Sequence, residues 1–387
     1  MNYYRDTWAE IDLSAIQENI ASFRKHLPQK TNIMAVVKAN AYGHGAYQVA
    51  SAAVEAGATW LSVALMDEAI ALRKQGIEEP ILVMGVTRPS DVRLAYEWKI
   101  SLTVFQQEWL HEASKQLVDG EAVNVHLKVD TGMGRIGARS FEDIQQVATT
   151  IASNPHFIFE GMFTHFATAD ELQSELVDQQ FARFEDVVDM VRQMGVEPTY
   201  LHCGNSAASL RFPTKLFNIA RIGIAMYGLT PSPEMKAVLP FSLKPALSLH
   251  TKLVHVKKVE PGDTVSYGAT YVALKEEWIG TLPIGYADGW IRRYGENGEV
   301  LVQGKRTRFA GRICMDQSMI QLPHEMNVGE TVTLIGRQGE AEISADDVAR
   351  QAMTINYEIS CLLTARVPRI YKKQGRILEK MNAILNF

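Results

Sequence analysis

The chain has 387 residues, a length that suits two domains better than one, and its 39 basic and 44 acidic residues leave a formal charge of -5. So balanced a charge recommends neither nucleic acid nor an anionic membrane as partner, and an apolar fraction of 47% is ordinary for a globular protein with a full core. Three widely separated cysteines, Cys203, Cys314 and Cys361, form no CxxC pair, which argues against a disulfide framework or a zinc site and fits a reducing cytoplasm. The first twenty residues contain acidic groups and no apolar run of signal length, and no later segment approaches a bilayer span, so neither export nor membrane insertion is expected. The expected partner is a small molecule.

In chain order, Ser14 and Gln17 have capping-box spacing and mark the first helix. The run Ile33 to Val37 then reads as a short buried strand that stops abruptly at Lys38. A lysine there either snorkels into solvent or is kept for its amine, because partial burial favours the neutral form and a neutral amine can form a Schiff base with an aldehyde. From Asp12 to about Thr230 short apolar runs alternate with amphipathic stretches such as AYQVASAAVEAGA and DQQFARFEDVVDMVRQMG. The runs are Ile33 to Val37, Trp60 to Leu65, Ile81 to Gly85, Leu102 to Phe105, Val123 to Val129, Phe157 to His165, Tyr200 to His202 and Asn218 to Ile222.

This grammar suits a (β/α)8 barrel of the TIM type, with an open doubly wound sheet as the alternative. The strand ends favour a shared mouth: Lys38, Asp67, Lys128, Asp130, His165 and His202 lie at or just beyond them, with Arg221 inside the eighth strand. Barrel enzymes gather their chemistry at that rim and often bind phosphate after strands seven and eight. There the chain offers Asn205 and Ser206, then Gly223 and Ile224, small or polar residues whose backbone N–H groups can approach an anion.

After Thr230, prolines 231, 233, 240 and 245 mark a linker and the apolar period becomes two in HTKLVHVKKV, EVLVQG, TRFAGRICMDQSMIQL and TVTLIG. The expected organisation is a barrel over 12–235 and a predominantly β domain over 236–387, to which residues 1–11 could belong. VSYGATY, PIGYADGW, ICMDQ and INYEIS are too polar or glycine-broken for plain strands and read as loops that face something.

In joint order, VVKANAYGHG, LKVDTGMGRIG, GMFTHFATAD, HCGNSAA, RIGIAMYG, VSYGATY, IGYADGW, CMDQ and NYEIS closely resemble the alanine racemase family of fold-type III pyridoxal phosphate enzymes, from about Asp12 to Pro368. The resemblance implies pyridoxal 5'-phosphate carried by Lys38, alanine as substrate, and a homodimer whose two active sites each use residues of both subunits. It implies two bases on opposite faces of the α-carbon, Lys38 and the Tyr267 of the partner chain, since inverting a stereocentre removes a proton from one face and returns one to the other. A tyrosine titrates near 10, so it needs nearby positive charge to act as a base, and His165, Arg221 and His202 match the hydrogen-bonded chain that helps it.

Arg221 also matches the arginine at the pyridine nitrogen, where a group that keeps its proton leaves the ring a restrained electron sink. By the same resemblance Tyr42, Ser206 and Tyr357 hold the phosphate together with the Gly223 and Ile224 N–H groups, while Arg135 and the Met315 N–H of the partner meet the substrate carboxylate. Lys128 matches a lysine that is carbamylated in many relatives, with a plain salt-bridging lysine as the alternative. Tyr286, Cys314 and Asp316 are expected to shape the entrance or support the base. No metal is expected, because His44, His165 and His202 are each explained individually. A serine or broad-specificity racemase and a non-enzymatic cofactor carrier remain the rivals. A decarboxylase fits less well, because it generally sets a carboxylate where Arg221 stands.

Overall fold

The computed structural model describes residues 3–385. They divide into two compact units. The first comprises residues 16–41 and 46–244; the second comprises the N-terminal segment through Ala15, Tyr42–Gly45 and everything from Pro245 onward. The division therefore falls between Lys244 and Pro245.

The first unit is an eight-stranded parallel sheet curled into a near-barrel. Its strands are β1 (Asn32–Val36), β2 (Trp60–Val63), β3 (Ile81–Val83), β4 (Ser101–Val104), β5 (Val123–Lys128), β6 (Phe157–Phe163), β7 (Tyr200–His202) and β8 (Ile219–Ile222). Each pairs with the next from β1 to β7, and β8 returns beside β1 with Met34 opposite Arg221. No regular ladder joins β7 to β8. That seam is held by Asn218 N–H to the Leu201 carbonyl at 3.2 Å, Leu201 N–H to Asn218 Oδ1 at 2.8 Å, and Arg221 N–H to the Gly204 carbonyl at 3.1 Å. Strands buried on both faces explain the near-continuous apolar runs, and Met34, Trp60, Leu82 and Ile219 pack as one cluster of that core.

The first helix, Leu13–His26, begins differently from its sequence reading. Asp12 Oδ1 accepts from the N–H groups of Ser14 and Ala15 at 2.9 and 3.3 Å, so Asp12 is the cap, and Ser14 Oγ instead accepts from Gln374 N–H. A carboxylate is the better acceptor at a helix start, and it stood two residues before the expected one.

In the second unit the main sheet runs Lys305–Arg308, Glu299–Val302, Thr331–Gln338, Leu247–Lys252, Thr7–Asp12, Arg369–Lys373, Arg376–Met381, with Ala341–Ile343 pairing to Thr331–Gln338. The N-terminal strand thus lies inside the sheet, antiparallel to Leu247–Lys252 and parallel to Arg369–Lys373. A three-stranded antiparallel sheet (His255–Val259, Glu277–Leu282, Ser318–Leu322) and a short pair, Thr264–Val265 with Tyr271–Val272, complete it. The period of two follows from sheets that bury one face. Among the described residues no helix is long and apolar enough to cross a membrane.

Candidate active site

Of the residues expected at the barrel mouth, His202 and Lys128 end their strands, Lys38, Asp130 and His165 follow theirs by two residues, Arg221 lies within the last strand, and Asp67 lies in the helix Met66–Lys74. Lys38 follows β1 by two residues and opens an unusual backbone: Ala39, Asn40, Ala41 and Tyr42 all have φ of 52–53°, one turn of left-handed helix. For residues with a Cβ this costs roughly 1–2 kcal/mol each, so other contacts must over-determine it. Three are visible. Ala39 N–H donates to Glu68 Oε1 at 2.6 Å, Ala41 N–H donates to the Val37 carbonyl at 2.9 Å, and Asn40 Oδ1 accepts from Ala46 N–H at 2.9 Å. The other oxygen of Glu68 takes the Ala64 and Leu65 N–H groups, so one carboxylate ties the turns after β1 and β2 together. Glu68 escaped the sequence reading, which picked its neighbour Asp67; the signal was a carboxylate in the first turn of the helix Met66–Lys74.

Arg221, 3% exposed, is the hub of the mouth. Its Nη1 donates to His202 Nδ1 at 2.9 Å, and its Nη2 reaches His165 Nδ1 at 3.1 Å and the carbonyls of Thr164 and Cys203. Among the described residues nothing accepts from its Nε–H, which leaves a donor for a ring nitrogen. Burial lowers the guanidinium to about 10, still protonated at neutral pH. Burial first and Arg221 second push both His165 and His202 well below the usual imidazole range. Phe163 stacks on His202 at 4.7 Å between centroids and takes Arg221 and Lys128 against its ring at 5.5 and 5.4 Å.

At the seam between β7 and β8, Ser206 Oγ accepts from Gly223 N–H at 2.8 Å and more distantly from Ala225 N–H, and its own proton meets no acceptor among the described residues. That proton suits an anion. Gly223 and Ile224 lead into the 3-10 turn Ile224–Tyr227, while the Asn205 side chain caps the helix Ser206–Arg211 by accepting from Ala208 N–H at 3.0 Å. Asn205 therefore shapes the loop between β7 and this helix through that cap.

Lys128, 3% exposed at the end of β5, donates to the Val129 carbonyl at 2.8 Å. Burial, with Arg221 and Arg135 adding to it and Asp130 opposing, lowers its ammonium to about 7, so a large share of the amine is neutral at physiological pH. Asp130 Oδ1 accepts from Gly132 and Gly134 N–H at 3.1 and 3.0 Å and so fixes the loop that carries Arg135. Arg135 is exposed and makes no ion pair among the described residues.

The β unit gathers the other candidates. Tyr267, 72% exposed, rides a turn in which Ser266, Gly268 and Ala269 have φ of 71, 74 and 47°. Ser266 Oγ donates to the Arg312 carbonyl at 2.6 Å and lies 3.6 Å from Cys314 Sγ. Tyr286 and Ala287 N–H groups donate to the Cys314 and Met315 carbonyls, each at 3.0 Å, so Tyr286, Cys314, Met315 and Asp316 form one rigid loop pair. The Met315 N–H has no acceptor among the described residues. Beneath the pair lies Asp288, fully buried, which accepts from Gly285 N–H and pairs with Arg5 at 2.8 Å and Arg366 at 3.5 Å; Arg366 also pairs with Asp316. Tyr42 and Tyr357 are ring neighbours in this unit, 6.2 Å between centroids, and burial pushes the Tyr42 phenol up. Among the described residues no cluster of His, Cys, Asp and Glu could hold a metal ion.

The alanine racemase N-terminal domain model matches residues 11–231 and the C-terminal domain model residues 246–371. The chain is 55% identical to the alanine racemase of Geobacillus stearothermophilus over 99% of its own length and 98% of that protein's. It superposes on the crystal structure of alanine racemase from Bacillus anthracis with bound L-Ala-P at a TM-score of 0.98 and 48% identity, each chain covered in full. A histidine racemase from Leuconostoc mesenteroides subsp. sake is similar at 36% identity and a TM-score of 0.90, over 96% of this chain and 99% of that one. The chain belongs to the alanine racemase family and is an amino-acid racemase of the isomerase class.

Proposed function

We propose that the protein interconverts L- and D-alanine with pyridoxal 5'-phosphate held on Lys38, as a homodimer that completes each site with Tyr267 and Met315 of the second copy. The observation that carries the reading is the Arg221 hub, with its open Nε–H and two neutral imidazoles, in a chain of this family. The donor set fits the cofactor: Ser206, Gly223 and Ile224 with Tyr42 and Tyr357 for its phosphate, Arg221 for its ring nitrogen and the Lys38 amine for its aldehyde. When bound, the cofactor supplies a conjugated electron sink that makes the α-proton of alanine removable.

The chain's own residues do the rest. Arg135 and the Met315 N–H grip the substrate carboxylate and fix which bond faces the bases. Lys38 Nζ handles the proton on one face and Tyr267 Oη on the other. His165, with its Nδ1 occupied by Arg221, offers Nε2–H to the phenolate oxygen, and the Arg221 charge stands directly behind it. The strong exposure of Tyr267 agrees with a residue that a second copy covers. Lys128, with a large neutral share, is set to take up CO2 as a carbamate whose negative charge would orient Arg135. The thiols of Cys203 and Cys314, in no disulfide, suit a cytoplasmic enzyme.

Incubation with L-alanine in deuterated water tests the reading. The expected product is α-deuterated D-alanine, approaching equal amounts of the enantiomers. Bound cofactor without exchange would leave a carrier, and faster turnover of serine or histidine than of alanine would change the substrate.

A further inference from the structure

Behind Arg221 the polar chain continues away from the mouth. His202 Nε2 lies 3.0 Å from His126 Nδ1, and His126 Nε2 lies 3.1 Å from Glu160 Oε2. Glu160 also accepts from Ser101 Oγ at 2.5 Å and from Asn124 Nδ2 at 2.8 Å. We propose that His126 and Glu160 are positioning residues of the racemase: a one-way relay from Arg221 through His202 and His126 to Glu160 fixes both imidazoles as Nε2–H tautomers and aims Arg221 at the mouth. The proposal rests on the reading that Arg221 faces the cofactor ring.

The direction follows from the two ends. A guanidinium has no acceptor, so His202 Nδ1 must accept and its proton must sit on Nε2. His126 Nδ1 must then accept in turn and carry its proton on Nε2. An ionised carboxylate, which only accepts, is the one side chain that ends such a chain without conflict, and two further donors point at it. Arg221 touches no carboxylate among the described residues, so Glu160 is the acid at the far end of its network. The relay is dry at its imidazoles: His126 and His202 are fully buried, with Trp60, Tyr200 and Phe163 packed around their rings, while Glu160 at the far end is partly buried.

The backbone is shaped for this contact. Val125 of β5 pairs with Phe159 of β6 but the next residue, His126, pairs with Gly161, so Glu160 is the extra residue of a β-bulge in β6, a device that re-aims a side chain. At Gly161 a Cβ would come within 2.5 Å of His126 Cε1 and Nδ1, so glycine is what admits the ring. Reversing the relay would turn His202 Nδ1–H against the Arg221 N–H, donor against donor, and displace the guanidinium.

The test uses the full chain with its cofactor, labelled with 15N at histidine. In the wild type the imidazole shifts should report protonated Nε2 and bare Nδ1 at both His126 and His202. Glu160→Leu should lose this pattern and lower kcat by about ten- to a hundredfold with KM within about twofold, a typical range for partners outside the first contact layer. Glu160→Gln keeps an acceptor oxygen and should restore both. His126→Phe, which fills the same space, should disturb His202 and kcat as Glu160→Leu does. A bare Nε2 or a doubly protonated ring at His202 in the wild type would overturn the proposal, as would either disruptive variant with unchanged His202 shifts and kcat. Correct tautomers in a wild type that racemises nothing would instead overturn the proposed function and leave the relay standing.

Discussion

Arg221 Nη2 donates to His165 Nδ1 at 3.1 Å, and that bond decides what His165 can be. With Nδ1 accepting, its proton sits on Nε2, and with burial and the neighbouring guanidinium both disfavouring a second proton, the ring stays neutral at physiological pH. If Tyr267 is the second base as proposed, the positive charge it needs is that of Arg221, with His165 as the neutral donor through which that charge acts. A neutral imidazole gives up no proton to a phenolate by accident, so the base keeps its form between turnovers.

Stability should rise with pH, and three buried groups set the sign. His165 and His202 titrate near 6.5 when unfolded and well below that when folded, so the unfolded chain binds more protons in that window and stability falls as pH drops through it. Lys128 has an unfolded value of 10.5 and a folded value of about 7; the cost of burying its charge is complete below about pH 7 and is relieved as pH rises toward 10.5. Urea unfolding should thus show a gain from Lys128 of up to about 1.4 kcal/mol per pH unit in the alkaline window. Lys128→Met should lose that slope relative to wild type, and parallel curves would contradict it. Saturating bicarbonate should flatten the wild-type slope as well and add the mass of one CO2, because a carbamylated amine no longer titrates there.

The left-handed turn after Lys38 makes a prediction of opposite signs at two positions. Ala39 is exposed and held at φ 53°, so Ala39→Gly removes roughly 1–2 kcal/mol of strain against about 0.5–1 kcal/mol of added unfolded-chain entropy, for a net stabilisation of up to about 1.5 kcal/mol. Glu68→Ala removes the acceptor of three backbone N–H groups and should destabilise by about 2–3 kcal/mol while weakening cofactor retention. Chemical denaturation and equilibrium dialysis of the cofactor measure the two effects. A destabilised Ala39→Gly would mean that the Ala39 methyl makes a contact worth more than the strain.

Much of the fold was legible because its signals are local. Most barrel strands are short apolar runs buried on both faces, Phe157–Phe163 with its exposed Ile158 being the exception, and the β unit keeps the period of two that one-sided sheets impose. Lys38, His165, His202 and Arg221 stood out in the sequence because they are polar residues in or at the ends of apolar runs. What escaped was long-range or depended on which of two neighbours points inward. Glu68 was hidden behind Asp67, and Asp12 behind Ser14, because both compete for the same helix start. His126 and Glu160 were not singled out in the sequence, because it is the bulge at Glu160 that turns its carboxylate onto His126. Asp288 carried no signal beyond a turn, since its value lies in Arg5 and Arg366, remote in sequence.

The relation between Lys38 and Tyr267 remains the most demanding expectation. Lys38 is half-buried at the end of β1, whereas Tyr267 is 72% exposed on a turn whose three positive-φ residues hold its backbone rigidly outward. If each site takes its lysine from one copy and its tyrosine from the other, Lys38→Ala and Tyr267→Phe homodimers are both inactive. A heterodimer of the two, however, carries one site with both bases intact and one with neither. Mixed subunits at equal concentration should pair statistically and recover about a quarter of wild-type kcat, half of the dimers each holding one working site of two. Native mass spectrometry gives the heterodimer fraction independently of turnover. Heterodimers present with no recovered activity would place both bases in one chain, and active Tyr267→Phe homodimers would remove the tyrosine from proton transfer.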